Sequence, residues 1–212
     1  MSNSLAVAAT TRVLQSLVQE AASRAVPGVS VLTRPPTKAA DGAAQGTSIH
    51  VFLFQVIPNE VWRNEDLPTR TATGQLRRRP RVAVDLMYLL TFHGDEAALV
   101  PQQMLGEVLT ALHREPRLTP TVIRAALAAD GPDGPFAGAD LADQVETITL
   151  SLQRMSAETL SKLWSVLFQA PYALSVFYQA SVVVLDADVA TAPATQVAAD
   201  GVTVTVRAGD AR

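Results

Sequence analysis

The sequence predicts an α+β fold in which a central mixed or antiparallel sheet carries helices packed mainly on one face. Two observations predict the sheet. Large apolar side chains recur at every second position from Val82 to Phe92, and residues 49–57 and 172–185 are apolar on nearly both faces. Helical patterns interrupt these strands irregularly, which differs from the regular strand–helix order of a parallel α/β fold. The length of 212 residues suits one substantial domain with an appendage.

A helix is predicted first, over residues 4–23, because its apolar residues form one broad face. Its candidate N-terminal caps are Ser2, Asn3 and Ser4. The Pro27-Gly28 pair ends the helix, and a short strand follows over residues 29–32. The strong strand at residues 49–57 is expected to lie centrally in its sheet, since it is apolar on nearly both faces.

The second half of the chain alternates strands and helices. After the strand at residues 82–92, a helix carries Pro101 in its first turn, and Pro116 ends it. Thr119 is placed to cap a short helix that runs to about residue 129. The remaining predicted elements are a strand at residues 144–152, a helix capped by Ser156 with Leu160, Leu163, Trp164 and Leu167 on its apolar face, and a strand at residues 172–185.

Two segments differ in kind from these elements. Residues 58–81 contain prolines, a glycine, Trp62 and a basic run at residues 77–81, without a sustained period. Long loops of this kind are usually functional or disordered. Residues 187–212 are rich in Ala, Thr and Asp and hold one β-like run, residues 202–207. We therefore expect one domain over residues 1–186 and a C-terminal extension that becomes ordered only on assembly.

Composition limits the function. The net charge of −3 and the pI near 5.6 give no global basic field for a nucleic acid or an anionic membrane, so neither is expected as a partner. The chain has no cysteine, which removes disulfides and thiolate metal sites and fits synthesis in a reducing cytosol. The first residues lack a signal-peptide pattern, and no apolar stretch has the length of a membrane span.

Catalytic and metal-binding motifs are missing from the sequence. The three histidines, His50, His93 and His113, are not spaced as a helical zinc pair, and no nucleophile elbow, Walker loop or dinucleotide fingerprint occurs. The tetrapeptide from His93 to Glu96 allows a metal or acid/base cluster, but a solvated turn before a helix is the simpler interpretation. We therefore expect no enzyme activity and no cofactor.

Trp62, Trp164 and the arginine run each allow two interpretations. Trp164 lies on an apolar helix face, which predicts a core position rather than a partner contact. Trp62 lies in a polar loop, where it either holds the loop down or meets a partner protein. The arginines at residues 77–81 either form a solvated edge that discourages aggregation or dock on an acidic protein surface.

Several short motifs, taken in order, resemble a known family. They are Ser2-Asn3-Ser4-Leu5-Ala6, Leu53-Phe54-Gln55-Val56, Pro58-Asn59, Trp62-Arg63-Asn64, Asp66-Leu67-Pro68-Thr69-Arg70, Leu86-x-Tyr88-Leu89-Leu90, Leu160-Ser161-Lys162-Leu163-Trp164, and the run from Pro171 to Gln179. In order and spacing they resemble the cap-protein N-terminal family of extracellular contractile injection systems, which are particles related to phage tails. The likeness spans about residues 1–186.

The resemblance implies a structural cap, or tail terminator, at the baseplate-distal end of such a particle. A homohexameric ring would sit on the last ring of inner tube and the last ring of contractile sheath, end their growth, and attach sheath to tube. The particle would be assembled in the cytoplasm and in some systems released. The alternative in the same structural class is a neck or head–tail completion protein of a contractile-tailed phage, which neighbouring capsid and portal genes would distinguish.

We expect the 58–81 loop to carry much of the docking, since it is long, rich in Pro and Gly, and holds both Trp62 and the arginine run. The predicted interface residues are Trp62, Arg63, Asn64, Asp66, Leu67, Arg70, Arg77, Arg78 and Arg79. A second hypothesis is that residues 202–207 pair as a strand with a neighbouring subunit.

Overall fold

The fold is built on one mixed sheet with helices against it. The computed structural model describes residues 3–36, 46–62, 81–167 and 170–186. Within these ranges the helices are α1 (Ala6–Ala25), α2 (Val100–Arg114), α3 (Pro120–Ala128) and α4 (Ala157–Val166). The strands are β1 (Ser30–Leu32), β2 (Ser48–Pro58), β3 (Arg81–His93), β4 (Arg117–Leu118), β5 (Ile148–Gln153) and β6 (Leu174–Asp186).

The six described strands lie in the order β1-β2-β3-β6-β5-β4. Strands β1 and β2 are parallel, whereas all other neighbours are antiparallel. The sheet is therefore mixed, and the predicted α+β class is confirmed. The two longest strands, β3 and β6, pair in the middle of the sheet along most of their length.

The main core lies between the sheet and helices α1, α2 and α3. Strand β3 sends alternate side chains to this face, and α1 and α2 meet them with their own apolar stripes. The fully buried members of this core include Val13, Leu14 and Val18 of α1, Leu86, Tyr88, Leu90 and Phe92 of β3, and Met104 and Val108 of α2. Packing of these helices on one face is confirmed.

Strand β3 is buried on its second face as well. Leu89, Thr91 and His93 are almost fully buried there, and Phe54 of β2 meets Phe177 of β6 edge to face with ring centroids 5.8 Å apart. A strand buried on both faces needs apolar residues at nearly every position, which explains the continuous run Leu86-Met87-Tyr88-Leu89-Leu90.

Helix α1 begins later than predicted and is held by contacts with a distant loop. It begins at Ala6, and its first turn has no cap from the N-cap side chain. Asn3 instead accepts a bond from the Leu5 N–H at 3.0 Å and donates its own N–H to Asp140 at 2.7 Å. Further along, Arg12 donates two 2.8 Å hydrogen bonds to the Asp130 carboxylate, and this guanidinium lowers the pKa of Asp130.

The N-terminal caps predicted for the two shorter helices, α3 and α4, are confirmed. The Thr119 hydroxyl accepts from the Val122 N–H at 3.4 Å at the start of α3, and the Ser156 hydroxyl accepts from the Thr159 N–H at 3.1 Å at the start of α4. Each satisfies a backbone donor that the first helical turn leaves without a partner.

The prediction of a strand from residue 144 is wrong at its start, because β5 begins only at Ile148. Val145, expected to alternate into the sheet, is 79% exposed. The Gln144 side chain takes the place of strand pairing: its amide donates to the Val182 carbonyl at 2.8 Å and accepts from the Val184 N–H at 3.0 Å. A side-chain amide offers a donor and an acceptor, as a peptide unit does.

Candidate assembly surface

The start of the 58–81 loop is fixed by a buried polar network. Strand β2 ends at Pro58, and the next residue, Asn59, donates its N–H to the Ala83 carbonyl at 2.9 Å. Its side-chain amide donates to Asp85 of β3 at 2.9 Å and to Ser181 of β6 at 3.3 Å. Gln179 of β6 donates to the other Asp85 oxygen at 2.9 Å. The network thus crosses three strands at one level of the sheet.

The same Asn59 side chain places Trp62. Its carbonyl oxygen accepts from the N–H groups of Val61 and Trp62, at 3.1 and 3.0 Å. This bonding turns the chain sharply after β2. Val61 is 79% exposed at the turn, and Trp62 is half-buried. Because Asn59 is itself bonded to β3 and β6, the direction in which the chain leaves the sheet is set by the sheet.

Of the predicted interface residues, the structure describes Trp62 alone. The others, Arg63, Asn64, Asp66, Leu67, Arg70, Arg77, Arg78 and Arg79, lie outside the described residues, and their role stays a prediction. Sequence reasoning missed Asn59 and Asp85. Asp85 carried a readable signal, since a lone carboxylate within an apolar strand implies a buried polar partner.

The outer edge of β2 is a second candidate surface. Strand β1 pairs with β2 only as far as His50, so the expected central position of β2 holds for its first residues alone. From Val51 onward no described strand lies against this edge. A groove of about 510 Å³ runs beside it, with Leu53 of β2, Val7 and Ala8 of α1, and Phe136 among its lining residues.

Helix α4 is a third surface, and here the predicted core position of Trp164 is wrong. None of the ten residues of α4 is buried. Trp164 is half-buried and packs against Tyr172, with ring centroids 5.4 Å apart, while Tyr172 is itself 70% exposed. The Trp164 indole N–H is shielded from solvent without a hydrogen-bond partner. The physical reason is topological: α4 lies in the connection between β5 and β6, away from the α1–α3 layer.

The model of the family described as "Pvc16 N-terminal domain" matches residues 9–198, most of the chain. The chain belongs to the Pvc16 N-terminal domain family. The resemblance predicted from the ordered motifs is therefore confirmed at the level of the family.

Two solved structures are similar to this family member. One is the sheath/tube terminator of an extracellular contractile injection system, PVC, in the extended state, with 17% identity and a TM-score of 0.47 over 92% of this chain and 64% of that chain. The other is the tube-terminating cap of the anti-feeding prophage, with 18% identity and a TM-score of 0.46 over 88% of this chain and 58% of that chain. The chain thus spans less than two thirds of either. No curated protein matches it.

Two of the three histidines of this Pvc16-family chain form a buried pair. The rings of His50 and His93 lie 4.8 Å apart, and His93 shares a 3.0 Å hydrogen bond with the Thr91 hydroxyl. Burial, followed by repulsion from His50, lowers the pKa of His93 to about 4. Burial also lowers the pKa of His50. Both rings are therefore neutral near pH 7.

The prediction of a solvated turn at residues 93–96 is correct for Asp95 and wrong for His93. Asp95 accepts from the N–H groups of Ala97 and Ala98, at 2.9 and 3.3 Å, as an acid preceding a helix does. His93, in contrast, is buried. Among the residues that the structure describes, no three His, Asp or Glu side chains are grouped so as to hold a metal ion, and no helix is long and apolar enough to cross a membrane.

Proposed function

We propose that this chain is the cap, or tail terminator, of a contractile injection particle, with a structural rather than an enzymatic role. The observation that carries the proposal is membership of the Pvc16 N-terminal domain family across residues 9–198. In this proposal a homohexameric ring sits on the last inner-tube ring and the last sheath ring, ends their growth and attaches one to the other. It is made in the cytoplasm and becomes part of a particle that can be released.

The described surfaces support a role in assembly. A closed ring of identical subunits needs two different complementary surfaces on each subunit, because its contacts run head to tail. The chain offers the Trp62 turn, the outer edge of β2 and the apolar face of α4 as separate surfaces. Sixfold repetition would convert modest single contacts into firm attachment through effective concentration.

The proposal is tested by imaging particles made with and without this gene. Loss of the chain should give uncapped tubes of irregular, often excessive length, and a plasmid copy should restore a uniform length. Particles with an unchanged length distribution and an intact distal end in the absence of the chain would contradict the cap function.

Within this function, we place sheath or tube docking on the 58–81 loop. The support from the described residues is that Asn59 fixes the start of the loop to β3 and β6, so Trp62 is presented from a rigid base. An amphipathic aromatic residue on a fixed base loses little conformational entropy on binding. The arginine run at the other end of the loop would add charged contacts.

The loop is tested by combining Trp62→Ala with alanine at Arg77, Arg78 and Arg79. We expect a folded protein whose particles have detached sheath or irregular length. The matched control is Val61→Ala, which removes a neighbouring exposed apolar side chain from the same turn. If the quadruple variant caps particles as well as the Val61 variant, the loop is not the docking surface.

A further inference from the structure

The outer edge of β2 presents peptide groups that no described strand satisfies. The Ser30 N–H of β1 donates to the Thr47 carbonyl at 3.4 Å, so the Thr47 peptide group points to the β1 side. Because the direction of the peptide groups alternates along a strand, the odd-numbered residues that follow in β2 point to the same side. Val51 and Leu53 therefore direct their N–H and C=O groups outward. The register with β3 then shifts between Leu53 and Gln55. After this bulge it is the even-numbered residues whose peptide groups point outward.

Beyond this shift the outward residue is Val56. The Asn59 N–H donates inward to the Ala83 carbonyl of β3, so Val56, three residues earlier, has the opposite direction. The Val56 side chain is 48% exposed, which fits an edge that no strand among the described residues pairs with. Pro58 offers no N–H and limits the free edge to about residues 51–56.

A groove with a mixed lining accompanies this edge on the side of the helices. Its volume is about 510 Å³, and its nine lining residues are four apolar ones, including Val7 and Leu53, and five polar ones, including Arg12. A strand added at the edge would place every second side chain over this groove. The site therefore fits an extended segment with apolar residues at alternate positions.

One segment of the chain outside the described residues has this pattern. Residues 202–207 read Val-Thr-Val-Thr-Val-Arg, which puts three valines on one face of a strand. A strand of this length extends about 20 Å, comparable to the free edge of β2. The rest of the extension consists mostly of small and polar residues. The valine face of this run would therefore be buried only by contact with another surface.

The extension also starts at the correct end of the sheet. Strand β6 ends at Asp186, opposite Arg81, and β2 ends at Pro58, opposite Val84. The ends of β2 and β6 are two strand spacings apart across the sheet and three residues apart along it, which together give about 15 Å. Residues 187–201 extend at most about 50 Å, so residues 202–207 can reach either the edge of the same subunit or that of an adjacent one.

We propose that residues 202–207 of one copy add as a strand to the outer edge of β2 at residues 51–56 of the neighbouring copy. This inference rests on the proposed ring, in which each subunit must both donate and accept a different surface. The extension is the donor and the β2 edge with its groove is the acceptor. Backbone hydrogen bonds give the affinity, and the groove selects the valine face.

The absence of native cysteine allows a direct test by disulfide trapping in the full chain. Val56→Cys is made in one population, and Thr203→Cys, Val204→Cys or Thr205→Cys in another. After co-assembly and mild oxidation, we expect a reducible dimer for at least one pair, at least fivefold above a control that replaces Val56→Cys by Val145→Cys. Val145 is exposed near the start of β5, beyond β3 and β6 from the β2 edge.

Chains that carry both cysteines distinguish the sources of the strand. A ladder of oligomers ending in a closed ring supports exchange between copies. A monomer with altered mobility, together with no dimer from the mixed populations, means that the extension folds back on its own chain and overturns the proposal. No cross-link above the Val145 control also overturns it. Because trapping is scored on purified protein, its outcome is independent of tube length, which tests the cap function separately.

Discussion

Helices α1 and α4 have similar sequence patterns, but α1 is largely buried and α4 lies at the surface. Each has apolar residues at helical spacing on one face and polar residues on the other. In α1, eight of twenty residues are buried, against β1, β2, β6, α2 and α3. In α4, none of ten residues is buried, and its Trp164 contacts the exposed Tyr172.

Helical periodicity therefore predicts which face of a helix is apolar but not what covers that face. Helix α1 precedes the sheet and lies across the strands that follow, so its face is covered by the chain itself. Helix α4 interrupts the sequence between two paired strands, and within the described part of the chain it takes part in none of the main packing contacts between elements. An apolar face of this kind on a monomer is a candidate contact for another protein.

The largest expected contrast comes from truncating one leucine in each helix. Leu14→Ala should lower the free energy of unfolding by about 2–5 kcal/mol, since Leu14 is fully buried and its loss leaves a cavity. Leu163→Ala, at a half-buried position of α4, should cost less than about 1 kcal/mol. Urea denaturation followed by circular dichroism measures both. Equal costs would mean that α4 packs as α1 does.

A drop in pH should weaken the body of the fold and leave α4 unaffected. The pKa of His93 is about 4 in the folded chain and ordinarily 6.5, so the unfolded chain binds the proton first. Stability is therefore fully present above pH 6.5 and declines as the pH falls towards 4, by about 3 kcal/mol at most. The lowered pKa of His50 acts in the same direction.

Urea denaturation between pH 7 and 4.5 measures this decline, and His93→Gln should reduce its slope. His113→Gln, at an exposed position of α2, is the matched control and should keep it. Hydrogen exchange at α4, corrected for the intrinsic pH effect, should stay constant. A slope unchanged by His93→Gln would remove the buried pair as its cause.

A smaller contrast concerns the ion pairs of the two helices. Asp130→Asn should cost about 1 kcal/mol, because the Asp130 carboxylate accepts two hydrogen bonds from Arg12 in a partly shielded contact. Glu158→Gln, which breaks the exposed pair with Lys162 on α4, should cost less than about 0.5 kcal/mol. Thermal unfolding of the two variants side by side decides whether the pair on α1 is the stronger.

The smallest global effect is expected from the cap of α4. Ser156→Ala should raise hydrogen exchange within α4 about fivefold while the melting temperature stays within error, because α4 opens without disturbing the core. Thr119→Ala at the start of α3 is the matched change, and there a loss in melting temperature is expected, since α3 buries Ile123 and Ala126. A fall in melting temperature for Ser156→Ala would mean that α4 unfolds with the body.

These cases also mark how far the sequence could predict the fold. Long strands such as β3 were predictable because their alternation and apolar content depend on local composition. The start of β5 was not predictable, because the Gln144 side chain replaces backbone pairing with β6. Its partner Val184 lies 40 residues away in the sequence. The position of Trp164 was not, because helical spacing is the same whether a helix is covered or bare.

The candidate site was predicted in part for similar reasons. A tryptophan in a polar loop indicated Trp62 as a surface residue, and it lies half-buried at the turn that follows β2. What holds that turn, the bonds from Asn59 to Asp85 and Ser181, joins residues from three strands and depends on their register. Register is a property of the folded sheet and cannot be read from the loop.

The Asn59 network has a mechanical consequence. A pull on the chain at Trp62 acts first on Asn59, whose side chain bonds to β3 and β6, rather than on the end of β2 alone. Peeling β2 from the sheet would break its backbone bonds one after another, whereas this connection shares the force among three strands at once. In the proposed cap, force that reaches the loop from sheath or tube would be shared among these strands in the same way.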